Sequence, residues 1–216
     1  MNLNIIGITV CYKHVDVLKY TISNAEIFHK WFIITSKEDQ ETINFINSIN
    51  ESNKFELIFF PFEESINKGK AINLALKEVY SKYHDFWILS IDADIYIPDE
   101  LKKSFIDGVV LNKKNIYYTS RILVDSFEDY LKNKDNLNIF KKLRPRPIGY
   151  FQFFFKKNIY FSERYDRWGY ADFMFPKDNF GKNTVKIFSP VIHIGKIQKW
   201  VKKRTYTGLE EVQAQG

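Results

Sequence analysis

The sequence predicts an α/β domain whose mostly parallel sheet is flanked by helices on both faces. Three observations carry this. Short β-branched apolar runs alternate with stretches of helical spacing from the first residues onward, the order that produces parallel strands joined by crossover helices. The early runs are apolar at successive positions, as strands covered on both faces are. A chain of 216 residues, 45% of them hydrophobic and 17% aromatic, is long enough to bury one such core.

The elements follow in order. Ile5 to Cys11 is the first strand, and Val15 to Phe28 has helical spacing through Val17, Leu18, Ile22 and Ala25. Trp31 to Thr35 is the second strand, Glu38 to Ile49 a helix, and Phe55 to Phe60 a third strand closed by Pro61. Asn67 caps a helix whose apolar face is Ala71, Ile72, Ala75, Leu76 and Val79, and Phe86 to Ile91 returns as the fourth strand. After Pro98 the pattern loosens. A short helix (Asp99 to Ile106), a strand (Ile116 to Leu123), a polar helix (Phe127 to Lys134), a basic loop (Lys141 to Pro147) and a strand (Phe151 to Phe155) are expected. Residues 1–204 read as one domain, and the polar, aperiodic 205–216 as a flexible tail.

Lys and Arg number 32 against 26 Asp and Glu, a net charge of +6 that suits an anionic ligand without demanding nucleic acid. The single cysteine, Cys11, excludes an intrachain disulfide and a Cys-rich zinc site, and points to a reducing compartment. No apolar run approaches the ~18 residues of a membrane span, and Met1 to Val10 lacks a basic signal-peptide start. The expectation is a soluble cytoplasmic protein.

In a parallel α/β sheet the ligand lies beyond the carboxyl ends of the strands. Asp92-Ala93-Asp94 stands there, directly after the apolar strand and before Ile95 to Pro98. Two acids between apolar runs repel each other unless a cation offsets them, and a divalent metal with oxygen ligands would do so. One helix and one strand earlier, Asn67-Lys68-Gly69-Lys70-Ala71 combines a cap, a glycine and two lysines at a helix N-terminus, a setting favourable to anions.

Together these segments resemble the GT-A class of nucleotide-sugar glycosyltransferases, family-2-like and β-galactosyltransferase-like enzymes including phage and viral members, over most of residues 5 to 204. The resemblance implies a Rossmann-like GT-A fold and a hexosyltransferase-like activity that moves a sugar from a nucleotide diphosphate sugar to a hydroxyl acceptor, with a glycan as the expected acceptor. Asp92-Ala93-Asp94 matches the D-x-D metal motif. It implies Asp94 and His193, the latter in His193-Ile194-Gly195, as ligands of Mn2+ (or Mg2+). Asp92, Ala93, Asn67, Lys68, Gly69, Lys70 and Thr9 would line the donor, with Lys196, Trp200 and Arg204 closing on its diphosphate.

Tyr165 to Asp172 resembles the W-G-x-E-D segment, which implies Asp172 as general base and inversion at the anomeric carbon. Ala171 stands where the family has a first acid. Trp168, Gly169, Tyr170, Tyr150 and Gln152 are the expected acceptor contacts. Thr35 and Ser36 occupy the second-strand end where family-2 enzymes carry an aspartate pair that reads the base, so uridine does not follow. Two other readings stay open: a nucleotidylyltransferase, whose glycine-rich loop is missing from Cys11 to Asp16, and a noncatalytic sugar or nucleic-acid binding module.

Overall fold

The computed structural model describes residues 3–64, 67–107, 111–146, 149–155, 158–164 and 170–195. The expected tail, 205–216, and the expected site residues Trp168, Gly169, Lys196, Trp200 and Arg204 lie outside the described residues. Four parallel strands form the first half of the sheet: β1 (Ile5–Val10), β2 (Lys30–Thr35), β3 (Phe55–Phe59) and β4 (Trp87–Ile91), in the spatial order β3-β2-β1-β4. The sheet continues through β8 (Phe151–Phe155), β6 (Ile116–Val124), β9 (Thr184–Ile194) and the two-residue β5 (Ile95–Tyr96). β1 to β4, β6 and β9 run in one direction; β5, β8 and the short β7 (Lys141–Leu143) run against them.

Side-chain alternation along the strands divides the core. Ile5, Trp87, Leu89, Ile91, Phe151 and Phe153 face one layer, where they meet Leu18 of α1 (Val15–Thr21), Ile46 of α2 (Gln40–Ile49), and Leu101 and Phe105 of α4 (Asp99–Ile106). Ile6, Ile8, Ile88 and Phe154 face the other, against Ala71, Ile72, Ala75, Leu76 and Val79 of α3 (Lys68–Lys82) and Phe175 and Phe180 of α6 (Tyr170–Phe180). A third cluster packs Tyr130 of α5 (Phe127–Asn133) on Tyr96, Ile122, Val124, Ile192 and Ile194. Burial of these side chains is the main stabilising term, roughly 1.5–3 kcal/mol for each large one.

Three expectations are corrected. The first long helix ends as α-helix at Thr21 and continues as a 3₁₀ turn over Ile22–Ile27, because Thr21 and Asn24 turn their side chains to the chain after β4. Lys141–Leu143 is an edge strand paired with Arg121–Leu123, not a loop; backbone pairing needs no apolar pattern, and lysines are common on edges. β9 was not expected, since Pro190 interrupts its run. The structure absorbs it in a register shift opposite Thr119 and Arg121, where the Thr119 hydroxyl donates to the Ser189 carbonyl. Among the described residues no helix is long and apolar enough to cross a membrane.

Cys11 is fully buried beside Thr42, and burial pushes its thiol up to about 12. Since the thiolate is the reactive form, native protein at pH 8 should resist maleimide labelling that goes to completion after denaturation. Equal labelling in both states would show that β1 is not the closed strand described.

Candidate functional site

The site lies along the carboxyl ends of β4, β9 and their neighbours. The chain leaves β4 at Asp92 and re-enters the sheet at β5, and this turn is held from below. Thr21 donates to the Ala93 carbonyl at 2.7 Å, Asn24 donates to the Ile95 carbonyl at 2.7 Å, and Asn24 Oδ1 accepts from the Ile97 amide at 2.9 Å. Ala93 itself is buried in the core, so its side chain makes no donor surface.

Asp92 and Asp94 point to different partners. Lys68 Nζ, at the first residue of α3, lies 2.6 Å from Asp92 Oδ1 and 2.7 Å from Asp172 Oδ2 in the first turn of α6. Burial alone would lower the Lys68 pKa, but Asp172 and then Asp92 outweigh it and hold the ammonium well above its ordinary value. Asp92 is shifted upward by burial against the pull of Lys68, with the Asp94 and Asp172 charges adding to the rise. Lys68 is therefore a buried bridge between carboxylates.

Asp94 pairs with His193, whose Nε2 is 2.8 Å from Asp94 Oδ2. β5 and β9 make this contact, since Ile95 is paired with His193 and the Ile194 amide donates to the Asp94 carbonyl at 3.0 Å. Burial would raise the Asp94 pKa, yet His193 outweighs it, with a smaller contribution from His14, and the carboxyl lies below its ordinary range. On the other side of the ring, Arg121 Nη1 is 3.2 Å from His193 Nδ1. A guanidinium can only donate, so Nδ1 accepts and Nε2 carries the proton given to Asp94. The Arg121 guanidinium also lies over the Tyr150 ring, 4.5 Å from its centroid.

Asp94 Oδ2 and His193 Nε2 offer one carboxylate oxygen and one imidazole nitrogen at a single point, a donor set suited to Mn2+, and a cation there would replace the proton they share. Among the described residues no set of three or more His, Cys, Asp or Glu side chains is arranged to hold a metal ion. A cation bound by this pair would complete its coordination with water or ligand oxygens.

The acid missing at position 171 has a steric reason. Ala171 is buried, and a Cβ built on Gly69 would come within 3.0 Å of the Ala171 side chain and 2.8 Å of the Ser162 carbonyl. α3 and α6 meet too closely there for a carboxylate. Next to it, Asp172 is buried, its Oδ1 has no hydrogen-bond partner among the described residues, and a Cβ at Gly149 would overlap its carboxylate.

Several expected ligand contacts are taken up by the fold. Thr9 accepts from Trp31 Nε1 at 2.9 Å, and Thr35 donates to Asp39 Oδ2 at 2.9 Å. Gln152 is buried and donates to the Asp172 carbonyl at 2.7 Å, and Tyr150 is buried and donates from its hydroxyl to the Thr119 carbonyl. Asn67 caps α3 through Lys70 N at 2.9 Å, while the Lys70 side chain is exposed. Tyr170 is 45% exposed at the start of α6. Ser36 lines a cleft of about 480 Å3 at the ends of β2 and β3, walled by Phe59, Phe60 and Pro61 with Glu63 at its side. Sequence reasoning missed Arg121, Thr21 and Asn24; an arginine within the otherwise uncharged run Ile116 to Val124 was the one visible signal.

No family model and no curated protein matches the chain. Solved structures do. GalNAc-T7, solved with UDP, GalNAc and Mn2+, superposes with a TM-score of 0.62 at 10% identity over 92% of this chain. The chain spans 45% of the length of that protein. A Bacillus anthracis protein assigned as a glucose-1-phosphate thymidylyltransferase, solved with a sucrose, gives a TM-score of 0.52 at 12% identity and 87% coverage of each chain. The chain has a GT-A-like fold.

Removing Lys68 should leave the buried Asp172 carboxylate and the part-exposed Asp92 carboxylate without the cation between them. Lys68→Met is expected to cost about 3–5 kcal/mol in urea unfolding, the usual loss when one partner of a buried ion pair is deleted. Adding Asp172→Asn should recover part of that loss. A Lys68→Met protein as stable as the wild type would contradict the bridge. Gly149→Ala should lower the melting temperature by displacing Asp172, and an unchanged melting temperature would show that the close approach is not required.

Proposed function

We propose that the protein is a divalent-metal-dependent glycosyltransferase that takes a sugar from a nucleotide diphosphate sugar and passes it, with inversion, to a hydroxyl of a glycan acceptor. The observation that carries this reading is the convergence, at the carboxyl edge of a GT-A-like sheet, of the Asp94–His193 pair and the Asp92–Lys68–Asp172 bridge. The cleft beside Ser36 is the nucleoside's place, since it lies at the same edge two strands away.

Asp94 and His193 would hold the cation, which supplies positive charge for the diphosphate as it leaves. Lys68 fixes Asp172 through Oδ2, and Oδ1, buried and without a hydrogen-bond partner among the described residues, would accept the acceptor's proton once the acceptor reaches it. The acceptor oxygen then bonds to the anomeric carbon, and the electron pair of the broken C–O bond stays with the diphosphate. One base and one displacement give inversion. Tyr170, exposed in the same first turn of α6 as Asp172, would contact an acceptor sugar.

A panel of nucleotide sugars with Mn2+, assayed for released nucleoside diphosphate, tests the reading. One donor should be turned over, with Mn2+ above Mg2+ and none in excess EDTA. Release of inorganic diphosphate instead, from a sugar phosphate and a nucleoside triphosphate, would make the protein a nucleotidylyltransferase, and no turnover with any donor would make it a binding module. Asp94→Asn should abolish turnover with the fold intact by circular dichroism. Asp172→Asn should lower kcat by about 10²- to 10⁴-fold with little change in donor affinity. Full kcat in that variant would remove Asp172 from the base role and with it the argument for inversion.

A further inference from the structure

Arg121 is a half-buried guanidinium with no carboxylate partner among the described residues. Its two neighbours among the described residues are the His193 ring nitrogen at 3.2 Å and the Tyr150 ring at 4.5 Å, and neither is an anion. Asp94 lies on the far side of the imidazole. A partly desolvated cation without a counter-charge is costly to keep, so such a residue fits a site whose counter-charge arrives with a ligand. Its setting is also rigid. The Tyr150 ring beneath it is pinned through its hydroxyl to the Thr119 carbonyl, and His193 is pinned to Asp94.

Of the guanidinium's five N–H donors, one meets His193, and the others have no protein acceptor among the described residues. The neighbouring strand adds to the charge. β7 pairs Leu143 with Arg121 and Lys141 with Leu123, which sets Lys141 on the same face of the sheet, and residues 141–146 contain no acid.

We propose that Arg121 is a catalytic residue that grips the donor's diphosphate. This rests on the glycosyltransferase reading. The planar fork bonds two phosphate oxygens at once, and it stands against the Asp94–His193 pair, where the diphosphate would meet the cation. When the anomeric C–O bond breaks, its electron pair becomes negative charge on the diphosphate oxygen, and Arg121 neutralises part of that charge with donors already in position.

The alternative is that Arg121 only orients His193, and the test separates the two. Inorganic diphosphate is titrated calorimetrically into the full chain in EDTA, so that no metal contributes. Wild type should bind, and Arg121→Gln should weaken binding by about 10- to 100-fold, the loss of a charged hydrogen-bond pair. Arg121→Lys, which keeps the charge without the fork, should recover part of the affinity. Wild-type affinity in Arg121→Gln, or no measurable diphosphate binding by the wild type, would overturn the assignment. If nucleotide sugars are turned over while Arg121→Gln holds diphosphate as tightly as wild type, the assignment falls and the transferase reading stands. If diphosphate binding depends on Arg121 and no nucleotide sugar is turned over, the transferase reading falls instead.

Discussion

One buried ammonium sets the geometry of the site. Lys68 is the first residue of α3, Asp92 the first residue after β4, and Asp172 lies in the first turn of α6, so a single side chain joins three elements far apart in sequence. Neither Lys68 nor Asp172 could be packed this way alone, because an unpaired buried charge costs several kcal/mol. The pairing also fixes which oxygen is used. Oδ2 of Asp172 is held by Lys68, and Oδ1 is left for another donor.

The approach of α3 to α6 follows from the same constraint. Gly69 and Ala171 let the helix starts come close, and Gly149 leaves the volume that the Asp172 carboxylate fills. A first acid at position 171 would have to enter this contact. Its absence is then the consequence of a tight helix junction, which leaves Asp172 as the acid of that segment. Gln152 completes the support from β8 by donating to the Asp172 backbone.

A second arrangement runs from Asp94 through His193 to Arg121, formed by three strands that share an edge. It orders a carboxylate, an imidazole and a guanidinium in one row. The row and the Lys68 bridge meet at the D-x-D turn, which Thr21 and Asn24 anchor to the layer below. Charge at the site is thus built on hydrogen bonds within the core.

The sequence determined the α/β class, the first four strands and their helices, because apolar runs and helical periodicity are local and are set by burial on both faces of a sheet. It also marked Asp92, Asp94 and Lys68, since acids directly after an apolar strand and lysines at a capped helix start stand out, while Asp172 and His193 were marked by the resemblance of their segments to a known family. It could not assign their partners. A pairing between residues 68 and 172 leaves no trace in local spacing, and the hydroxyls of Thr9 and Thr35 were read as ligand contacts because nothing local shows Trp31 and Asp39 claiming them. β9 was hidden by Pro190, whose missing N–H is harmless only where the ladder shifts register. Arg121 was legible as an oddity in a strand, but its place against His193 and Tyr150 exists only after β6, β8 and β9 pair. Those decisions belong to tertiary structure because they depend on which buried polar groups find each other across the sheet, and a lone group's own sequence neighbours carry no information about that.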